Sequence, residues 1–192
     1  MIEIRIHGRG GQGAVIASQI LAEAAFREGQ HVQAFPSFGS ERRGAPVAAF
    51  VRIDDEPILV RTEIYHPDGL VVLDESLISQ KLVDVTHGLK DGGWILVNSQ
   101  HGPENYGNLG QYRIGTVDAS RIAIEHHLGS ITAPIVNTAI CGAVATMAGL
   151  FSGENLAEAI REHVPIKPEE NVAAALKAAA AVRMLAEVGG AR

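Results

Sequence analysis

A glycine-rich loop between a predicted strand and a predicted helix constrains the fold more than any other stretch of the chain. Ile2, Ile4 and Ile6 alternate with polar residues, which is typical of a strand with one buried face. The sequence HGRGGQGA, residues 7–14, follows directly and leads into a helical pattern that ends at Gly29. A strand, a glycine loop and a helix in this order predict the opening unit of an α/β domain.

The spacing of the glycines in this loop indicates a site for a negatively charged ligand. Glycine permits a tight turn and a close approach of the backbone to a phosphate, while the start of the following helix presents unpaired N–H groups. The G-x-G-x-x-G spacing is a weak signal when it stands alone. We take the whole loop as the candidate binding segment, namely Gly8, Arg9, Gly10, Gly11, Gln12 and Gly13.

A second candidate site is the polar loop PSFGSERRGAP, residues 36–46, which follows a short predicted strand. Its two adjacent guanidinium groups are suited to a phosphate or a carboxylate, and its serines add hydroxyl groups. The loops after the first two strands of a doubly wound sheet share an edge, which predicts this loop beside the glycine loop. A solvated loop, or arginines paired with acids of a neighbouring subunit, explains the residues equally well. The candidate residues are Ser37, Ser40, Arg42 and Arg43.

The remaining pattern predicts the architecture. Apolar strand patterns occupy residues 47–53, 70–73, 94–97 and 112–117. Asp118 is a good N-cap for a helix to Leu128, and a second apolar helix is predicted over residues 137–150. A turn at residues 54–55 predicts a hairpin between residues 47–53 and 56–60, and the final third is helical to about Gly189. We therefore predict one α/β domain over residues 1–192, with a Rossmann-like, mostly parallel sheet, an inserted hairpin and a helical C-terminal region.

Two local features qualify this prediction. Charged residues alternate along residues 2–7, which predicts a first strand less deeply buried than the central strand of a dinucleotide-binding fold. Asp74 follows the strand at residues 70–73, where its carboxylate either contacts a ligand hydroxyl or caps the helix predicted for residues 76–85. Capping is the favoured interpretation.

Composition narrows the class of protein. With 192 residues, 46% of them hydrophobic, the chain is large enough to bury a core. The formal net charge is −6 and the sixteen Lys and Arg residues are scattered, which argues against nucleic acid as a partner. The sequence shows no targeting leader and no apolar run of membrane-spanning length, so we expect a cytoplasmic protein without a membrane partner.

The cysteine and histidine content argues against a metal site in this chain. A single cysteine, Cys141, forms no intrachain disulfide and cannot ligate an iron–sulfur cluster by itself. It lies in an apolar segment, which predicts a buried and unreactive thiol. His126 and His127 are adjacent, so their side chains would diverge on a helix. We propose no metal ligands and no catalytic residue.

Three segments together resemble a known family. GRGGQGAVIASQILAEAAFREG (residues 8–29), AFPSFGSERRGAPVAAFVRI (34–53) and VNTAICGAVATMAGL (136–150) resemble, in that order, the gamma subunit of 2-oxoacid:ferredoxin oxidoreductases. The likeness covers nearly the whole chain, and the combination of the two loops carries its specificity. The form SFGSERRGAPV resembles the pyruvate and phenylglyoxylate enzymes more than the 2-oxoglutarate or indolepyruvate types.

This resemblance implies an accessory subunit of an enzyme that converts a 2-oxoacid and coenzyme A into acyl-coenzyme A and CO2, with reduction of ferredoxin or NAD. Thiamine diphosphate, magnesium and [4Fe–4S] clusters are then held by alpha, beta and delta-type partner subunits, and none by this chain. We expect the glycine loop, Arg42 and Arg43 to bind the phosphates of coenzyme A, so that its pantetheine arm reaches the thiamine centre of a partner.

Two alternatives stay open at the level of sequence. In the first, the chain is a purely structural subunit, and the glycine loop or the arginine pair only contacts a neighbour. In the second, the chain is a free-standing NAD(P)-dependent dehydrogenase. The residues at the end of the second strand argue against the dehydrogenase. Phe35 and Pro36 occupy the place where an acidic residue binds the ribose in NAD-dependent enzymes.

Overall fold

The computed structural model describes residues 1–37 and 44–185, and these form a central sheet covered on both faces. Its first face carries most of the helices, and its second carries a short helix and connecting segments. The strands are β1 (Ile2–Arg9), β2 (His31–Pro36), β3 (Pro46–Asp54), β4 (Gly69–Val72), β5 (Trp94–Asn98), β6 (Arg113–Val117), β7 (Gly129–Ser130), β8 (Ala133–Pro134) and β9 (Arg183–Met184).

The helices bury their apolar faces in two separate clusters. One cluster joins the first sheet face to α1, α3, α4, α5 and α6, and the other joins the second face to Leu77, Val85, Leu89 and Tyr106. The helices are α1 (Ala14–Arg27), α2 (Ser76–Ser79), α3 (Ala119–Glu125), α4 (Asn137–Ala148), α5 (Gly153–His163) and α6 (Pro168–Ala181), with a 3₁₀ helix at Pro103–Leu109.

The strand order creates a switch point next to β1. The seven-stranded sheet has the order β2-β3-β1-β4-β5-β6-β9, and β1, β4, β5 and β6 are parallel neighbours. After β1 the chain forms β2 and β3, which lie to one side of β1 in the strand order. From β4 onward the strands lie to the other side of β1. In open α/β sheets this arrangement opens a crevice at the carboxyl ends of the two strands. The predicted mostly parallel sheet with C-terminal helices is confirmed.

The inserted hairpin is present, but its strands differ from the prediction. β3 pairs antiparallel with β2, from His31 opposite Asp54 to Pro36 opposite Ala49, and it also pairs antiparallel with β1. Residues 56–60 form no strand. Both edges of β3 are already occupied, so the sheet offers residues 56–60 no place beside it. The pairing of residues 47–53 with 56–60 was therefore wrong.

The expectation of a less buried first strand was also wrong. β1 lies between β3 and β4, and the side chains of Arg5 and His7 are buried. The Arg5 guanidinium donates to the backbone oxygens of Val85 (3.1 Å) and His87 (2.6 Å) and to Nε2 of His7 (3.0 Å). Burial, reinforced by the nearby Arg5 charge, lowers the pKa of His7 to about 4. The neutral imidazole can therefore accept the hydrogen bond from Arg5. The side chains of Arg5 and His7 are thus hydrogen-bonded inside the fold.

Two predicted helices are shorter than their sequence pattern. The helix expected at residues 76–85 ends at Ser79, and Lys81 adopts a left-handed backbone with φ 50°. The segment that follows contains Val85 and His87, whose backbone oxygens accept the hydrogen bonds from Arg5. The C-terminal helix ends at Ala181, since Val182 is extended and leads into β9, which pairs with β6.

Candidate anion-binding site

A cavity of about 710 Å³ opens at the carboxyl ends of β1, β4, β5 and β6, at the switch point. This volume suits a ligand the size of a cofactor. The cavity is lined by the glycine loop, the segments that follow β4 and β5, the start of α3 and the β7–β8 hairpin, and the start of α4.

The conformation of the glycine loop requires glycine at its end. Gly11 and Gly13 have φ angles of 96° and 81°, in the left-handed region that side chains rarely adopt. Gly13 is also the residue before the first turn of α1. A Cβ on Gly13 would lie 2.6 Å from Nδ2 of Asn137, so that any side chain here would force the Asn137 amide to move. The glycine thus allows α1 and α4 to begin side by side.

The polar side chains of the glycine loop hold the loop in place. Gln12 accepts a bond from the Arg9 backbone N–H through Oε1 (2.7 Å) and donates to Asp74 through Nε2 (3.0 Å). Arg9 donates to Asp74 (3.0 Å), to Ser76 (2.7 Å) and to the backbone oxygen of Gly44 (3.1 Å). Arg9 was predicted as a ligand contact, yet its guanidinium joins the glycine loop to the segment after β4 and to Gly44.

Asp74 is the anchor of this arrangement. Its Oδ2 accepts bonds from Arg9 and Gln12, and its Oδ1 accepts the backbone N–H of Ser76 (3.0 Å). Burial disfavours the charged carboxylate, but the bonds from Ser76 and Gln12 and the charge of Arg9 outweigh it and lower the pKa of Asp74. Asp74 therefore accepts the N–H of Ser76 at the start of α2, although Glu75 occupies the N-cap position, and it also fixes the loop.

Donor groups without acceptors converge where α1 begins. Within residues 1–37 and 44–185, nothing accepts a hydrogen bond from the backbone N–H of Ala14 or Val15. Asn137 is only 8% exposed, and its Oδ1 accepts the N–H of Thr138 (2.9 Å), whereas its Nδ2 has no acceptor among the described residues. Three nitrogen donors next to the positive end of a helix dipole have the chemistry that suits an anion, which makes this place the candidate site.

The start of α3 differs from that of α1, because side chains of the protein accept its first N–H groups. Asn98 accepts the N–H groups of Ala119 (3.0 Å) and Ser120 (3.3 Å), and Asp118 accepts the N–H of Arg121 (2.9 Å). The predicted N-cap at Asp118 is confirmed. A ligand anion would therefore find free donors at α1 and Asn137, and few at α3.

A fixed carboxylate lies on another side of the same cavity. Glu75 accepts bonds through Oε2 from the hydroxyl groups of Ser99 (2.5 Å) and Tyr106 (2.6 Å). Burial, with the bond to Glu75, raises the pKa of Tyr106 to about 12, so the phenol stays a donor. The cavity thus combines a donor region with an acceptor region.

The structure places the predicted loop residues unequally. Gly11, Gln12 and Gly13 line the cavity, whereas Gly8 packs against Leu73. Gly10 exchanges backbone hydrogen bonds with the end of the second loop, donating to the oxygen of residue 45 (2.9 Å) and accepting from the N–H of residue 44 (3.1 Å). The predicted proximity of the two loops is confirmed for residues 44–45, at the end of the second loop.

Of the serine and arginine candidates of the second loop, the structure describes only Ser37, which does not line the cavity. Ser37 directly follows β2, on the far side of β3, and its hydroxyl donates to Glu63 (2.8 Å). Ser40, Arg42 and Arg43 lie outside the described residues. Asn137, conversely, was missed, because sequence periodicity marked it only as the start of an apolar helix and nothing local paired it with Gly13.

Reactive and metal-binding groups are scarce in the part of the chain that the structure describes. Cys141 is fully buried, donates to the backbone oxygen of Asn137 (3.1 Å), and has its thiol pKa raised by burial. The predicted burial of this thiol is confirmed. Residues 1–37 and 44–185 hold no group of three metal-ligating side chains, and none of their helices is long and apolar enough to cross a membrane.

Fold and cavity together define an α/β domain of the doubly wound type, with a cavity and unpaired donors at the switch point. Residues 3–181 match the family described as pyruvate ferredoxin/flavodoxin oxidoreductase. Since the match spans almost the whole chain, the chain belongs to that family.

Individual relatives agree with this assignment. The common gamma subunit of pyruvate/ketoisovalerate oxidoreductases from Thermococcus kodakarensis is 56% identical over 165 residues, which are 84% of this chain and 86% of the relative. Pyruvate synthase subunit PorC of Methanothermobacter thermautotrophicus is 49% identical over 179 residues, covering 93% and 94%. The crystal structure of pyruvate oxidoreductase subunit PORC from Thermotoga maritima has a TM-score of 0.81 at 36% identity, covering 96% and 98%.

The predicted gamma-subunit identity is therefore confirmed, and the chain is an accessory subunit of a 2-oxoacid oxidoreductase complex. The names of these three relatives refer to pyruvate or ketoisovalerate, so they lend no support to a phenylglyoxylate branch.

Proposed function

We propose that this accessory subunit binds coenzyme A in the switch-point cavity and presents its thiol to the reaction centre of a partner subunit. The observation that carries the proposal is the group of free donors at the start of α1, where the N–H groups of Ala14 and Val15 adjoin the Asn137 amide. Phosphate is the anion that such backbone sites bind most often in α/β folds.

The contribution of this chain would be placement of the ligand. The donors at α1 hold the phosphates, and the Arg9–Asp74 contact keeps the glycine loop in the shape that exposes those donors. A thiol held near its reaction partner reacts far faster than one that must be captured from solution. The chain needs no acid, base or nucleophile for this role.

The chemistry itself would belong to alpha, beta and delta-type partners. Thiamine diphosphate with magnesium would supply the decarboxylation there, and [4Fe–4S] clusters would carry electrons to ferredoxin or NAD. By analogy with the named relatives, the substrate is pyruvate or a branched 2-oxoacid such as ketoisovalerate. A cytoplasmic location of the complex stays a prediction.

The experiment that tests the proposal is Asn137→Asp in the assembled complex. The substitution keeps the shape of the side chain but places a carboxylate where the ligand phosphate is expected. We expect the KM for coenzyme A to rise about 100-fold through like-charge repulsion, with kcat unchanged at saturation. Thiamine and iron contents should equal those of the wild type.

Asn108→Asp serves as the matched control, because Asn108 is an exposed asparagine of the 3₁₀ helix and does not line the cavity. It should leave the KM for coenzyme A unchanged. An Asn137→Asp complex with a normal KM for coenzyme A would refute ligand binding at this site.

Arg42 and Arg43 remain candidates for coenzyme A or for a partner subunit. Replacing both by alanine should raise the coenzyme A requirement if they bind the ligand, and should dissociate the complex if they bind a neighbour. A dissociated complex with normal coenzyme A binding in its residual assembled fraction would favour the structural alternative for this loop.

The NAD(P) alternative is disfavoured by the position of the acidic residues. The end of β2, with Phe35 and Pro36, is separated from β1 by β3, so it does not lie beside the glycine loop. Asp74, which does lie there, has both carboxylate oxygens engaged by Arg9, Gln12 and Ser76. A ribose hydroxyl would have to displace these contacts.

A further inference from the structure

Glu75 is held in the cavity in a way that leaves one of its oxygen atoms available. Its Oε2 accepts two hydroxyl hydrogens, from Ser99 and Tyr106. The Ser99 hydroxyl also accepts the backbone N–H of His101 (3.0 Å), so its own hydrogen is committed to Glu75. Among residues 1–37 and 44–185, nothing donates to Oε1 of Glu75.

Asp74, the other acidic residue named in the cavity, has no such free oxygen. Asp74 precedes Glu75 directly, and both of its carboxylate oxygens accept bonds from the protein. Tyr106 is 7% exposed and reaches Glu75 from the 3₁₀ helix that covers the second sheet face. The Glu75 carboxylate is thus fixed from behind, by a buried phenol, and one oxygen remains for a ligand.

A carboxylate repels phosphate but accepts N–H groups strongly. The phosphates would therefore lie at the donors of α1 and Asn137, and the part of the ligand near Glu75 must carry hydrogen-bond donors. We propose that Glu75 is a specificity residue of the cavity, which accepts a hydrogen bond from an N–H group of the bound ligand. This inference rests on the proposed binding of coenzyme A.

Coenzyme A offers N–H donors of this kind in two places, the adenine amino group and the amide groups of the pantetheine arm. Both present the same chemistry to a carboxylate oxygen. Probes that contain only one half of the molecule separate the two sources: 3′,5′-ADP carries the adenine amino group, and 4′-phosphopantetheine carries the amides.

The test is Glu75→Gln in the assembled complex. The glutamine oxygen would keep the bonds from Ser99 and Tyr106, which turns its NH2 group toward the ligand and sets donor against donor. We expect the KM for coenzyme A to rise about 10-fold with kcat unchanged at saturation. Inhibition by 3′,5′-ADP should weaken by a similar factor if the adenine amino group is bound, and inhibition by 4′-phosphopantetheine should weaken if an amide is bound.

Inorganic pyrophosphate reports on the donor region alone. Its inhibition constant should change less than twofold in Glu75→Gln and rise strongly in Asn137→Asp. Glu104→Gln, at an exposed carboxylate of the 3₁₀ helix, should behave as the wild type in every assay.

Two results would overturn the role of Glu75. One is a KM for coenzyme A, and inhibition by both half-molecules, within twofold of the wild type in Glu75→Gln. The other is an equal weakening of pyrophosphate, which would mean that the substitution distorts the whole cavity. In either case a raised KM in Asn137→Asp would leave the proposed function standing, whereas a normal KM in Asn137→Asp would refute the proposed function itself.

Discussion

Two helices begin at the same cavity, and the protein treats their first turns in opposite ways. At α3, Asn98 and Asp118 accept the backbone N–H groups of the first turn. At α1, the residue in the capping position is Gly13, which has no side chain, and the N–H groups of Ala14 and Val15 have no acceptor in the described residues. A helix whose donors are satisfied internally serves the fold, and one whose donors stay open can serve a ligand.

Removing the cap of α3 should have the largest effect on stability. Asn98→Ala would leave the buried N–H group of Ala119, the partly buried N–H group of Ser120 and the buried backbone oxygen of Leu73 without this partner. We expect the free energy of unfolding to fall by about 3 kcal/mol, because each lost partner strands a buried polar group. Urea denaturation measures this loss.

Asn108→Ala is the control for this substitution, as it removes an exposed asparagine. Its free energy of unfolding should stay within about 0.5 kcal/mol of the wild type. A comparably small loss in Asn98→Ala would show that the internal cap of α3 matters little, and the contrast between the two helices would fail.

Closing the open helix start should have a smaller effect on stability but a clear one on binding. In Gly13→Ala, a side chain at φ 81° would be strained and would collide with the Asn137 amide. We expect a loss of about 2 kcal/mol in the free energy of unfolding, together with a raised KM for coenzyme A in the complex.

Gly92→Ala separates the two causes of this loss. Gly92 has a similar φ of 75°, but nothing lies within 4 Å of the Cβ position. It should cost about 1 kcal/mol from backbone strain alone and leave the KM for coenzyme A unchanged. Equal losses in both glycine variants, with no effect on the KM, would deny Gly13 any special contact with Asn137.

The sequence predicted one of these helix starts better than the other. Asp118 was identified as an N-cap from its position alone, because a cap and its N–H partner lie three residues apart. The open start of α1 was predicted from the glycine spacing, but its amide partner was not. Asn137 reaches Gly13 only through the packing of α4 on α1, and no local pattern encodes a contact between distant helices.

The same distinction explains the errors in the sheet. The strand patterns of β3, β4, β5 and β6 were predicted nearly at their observed bounds, since alternation and apolar runs are local. Pairing is not local, so the partner of β3 was assigned to the next segment in sequence instead of to β2. Likewise, the polar residues of β1 suggested exposure. Arg5 can be buried because backbone oxygens accept its hydrogen bonds, and these come from a segment about eighty residues later, which no local pattern reveals.

The smallest expected effect concerns how the loop before α1 is held. Asp74 holds this loop by accepting hydrogen bonds from the side chains of Arg9 and Gln12. Asp118 holds the start of α3 by accepting a backbone N–H directly. Its pKa is lowered in the folded state, so its charged form stabilises the fold above the unfolded pKa of about 3.9, and this contribution is lost as the pH falls through the lower folded value. In Asp74→Asn, the free energy of unfolding should therefore depend less on pH below about 4 than in the wild type.

Urea denaturation at pH 7 and pH 3 measures this difference for both proteins. Asp91→Asn, at an exposed aspartate far from the loop, should keep the wild-type pH dependence. The contact also bears on binding, because release of Arg9 and Gln12 frees the loop that exposes the donors of Ala14 and Val15. If Asp74→Asn keeps the full acid-dependent loss of stability, then the Arg9–Asp74 contact does not fix the loop. The open start of α1 would then have to be maintained by Gly13 and Asn137 alone.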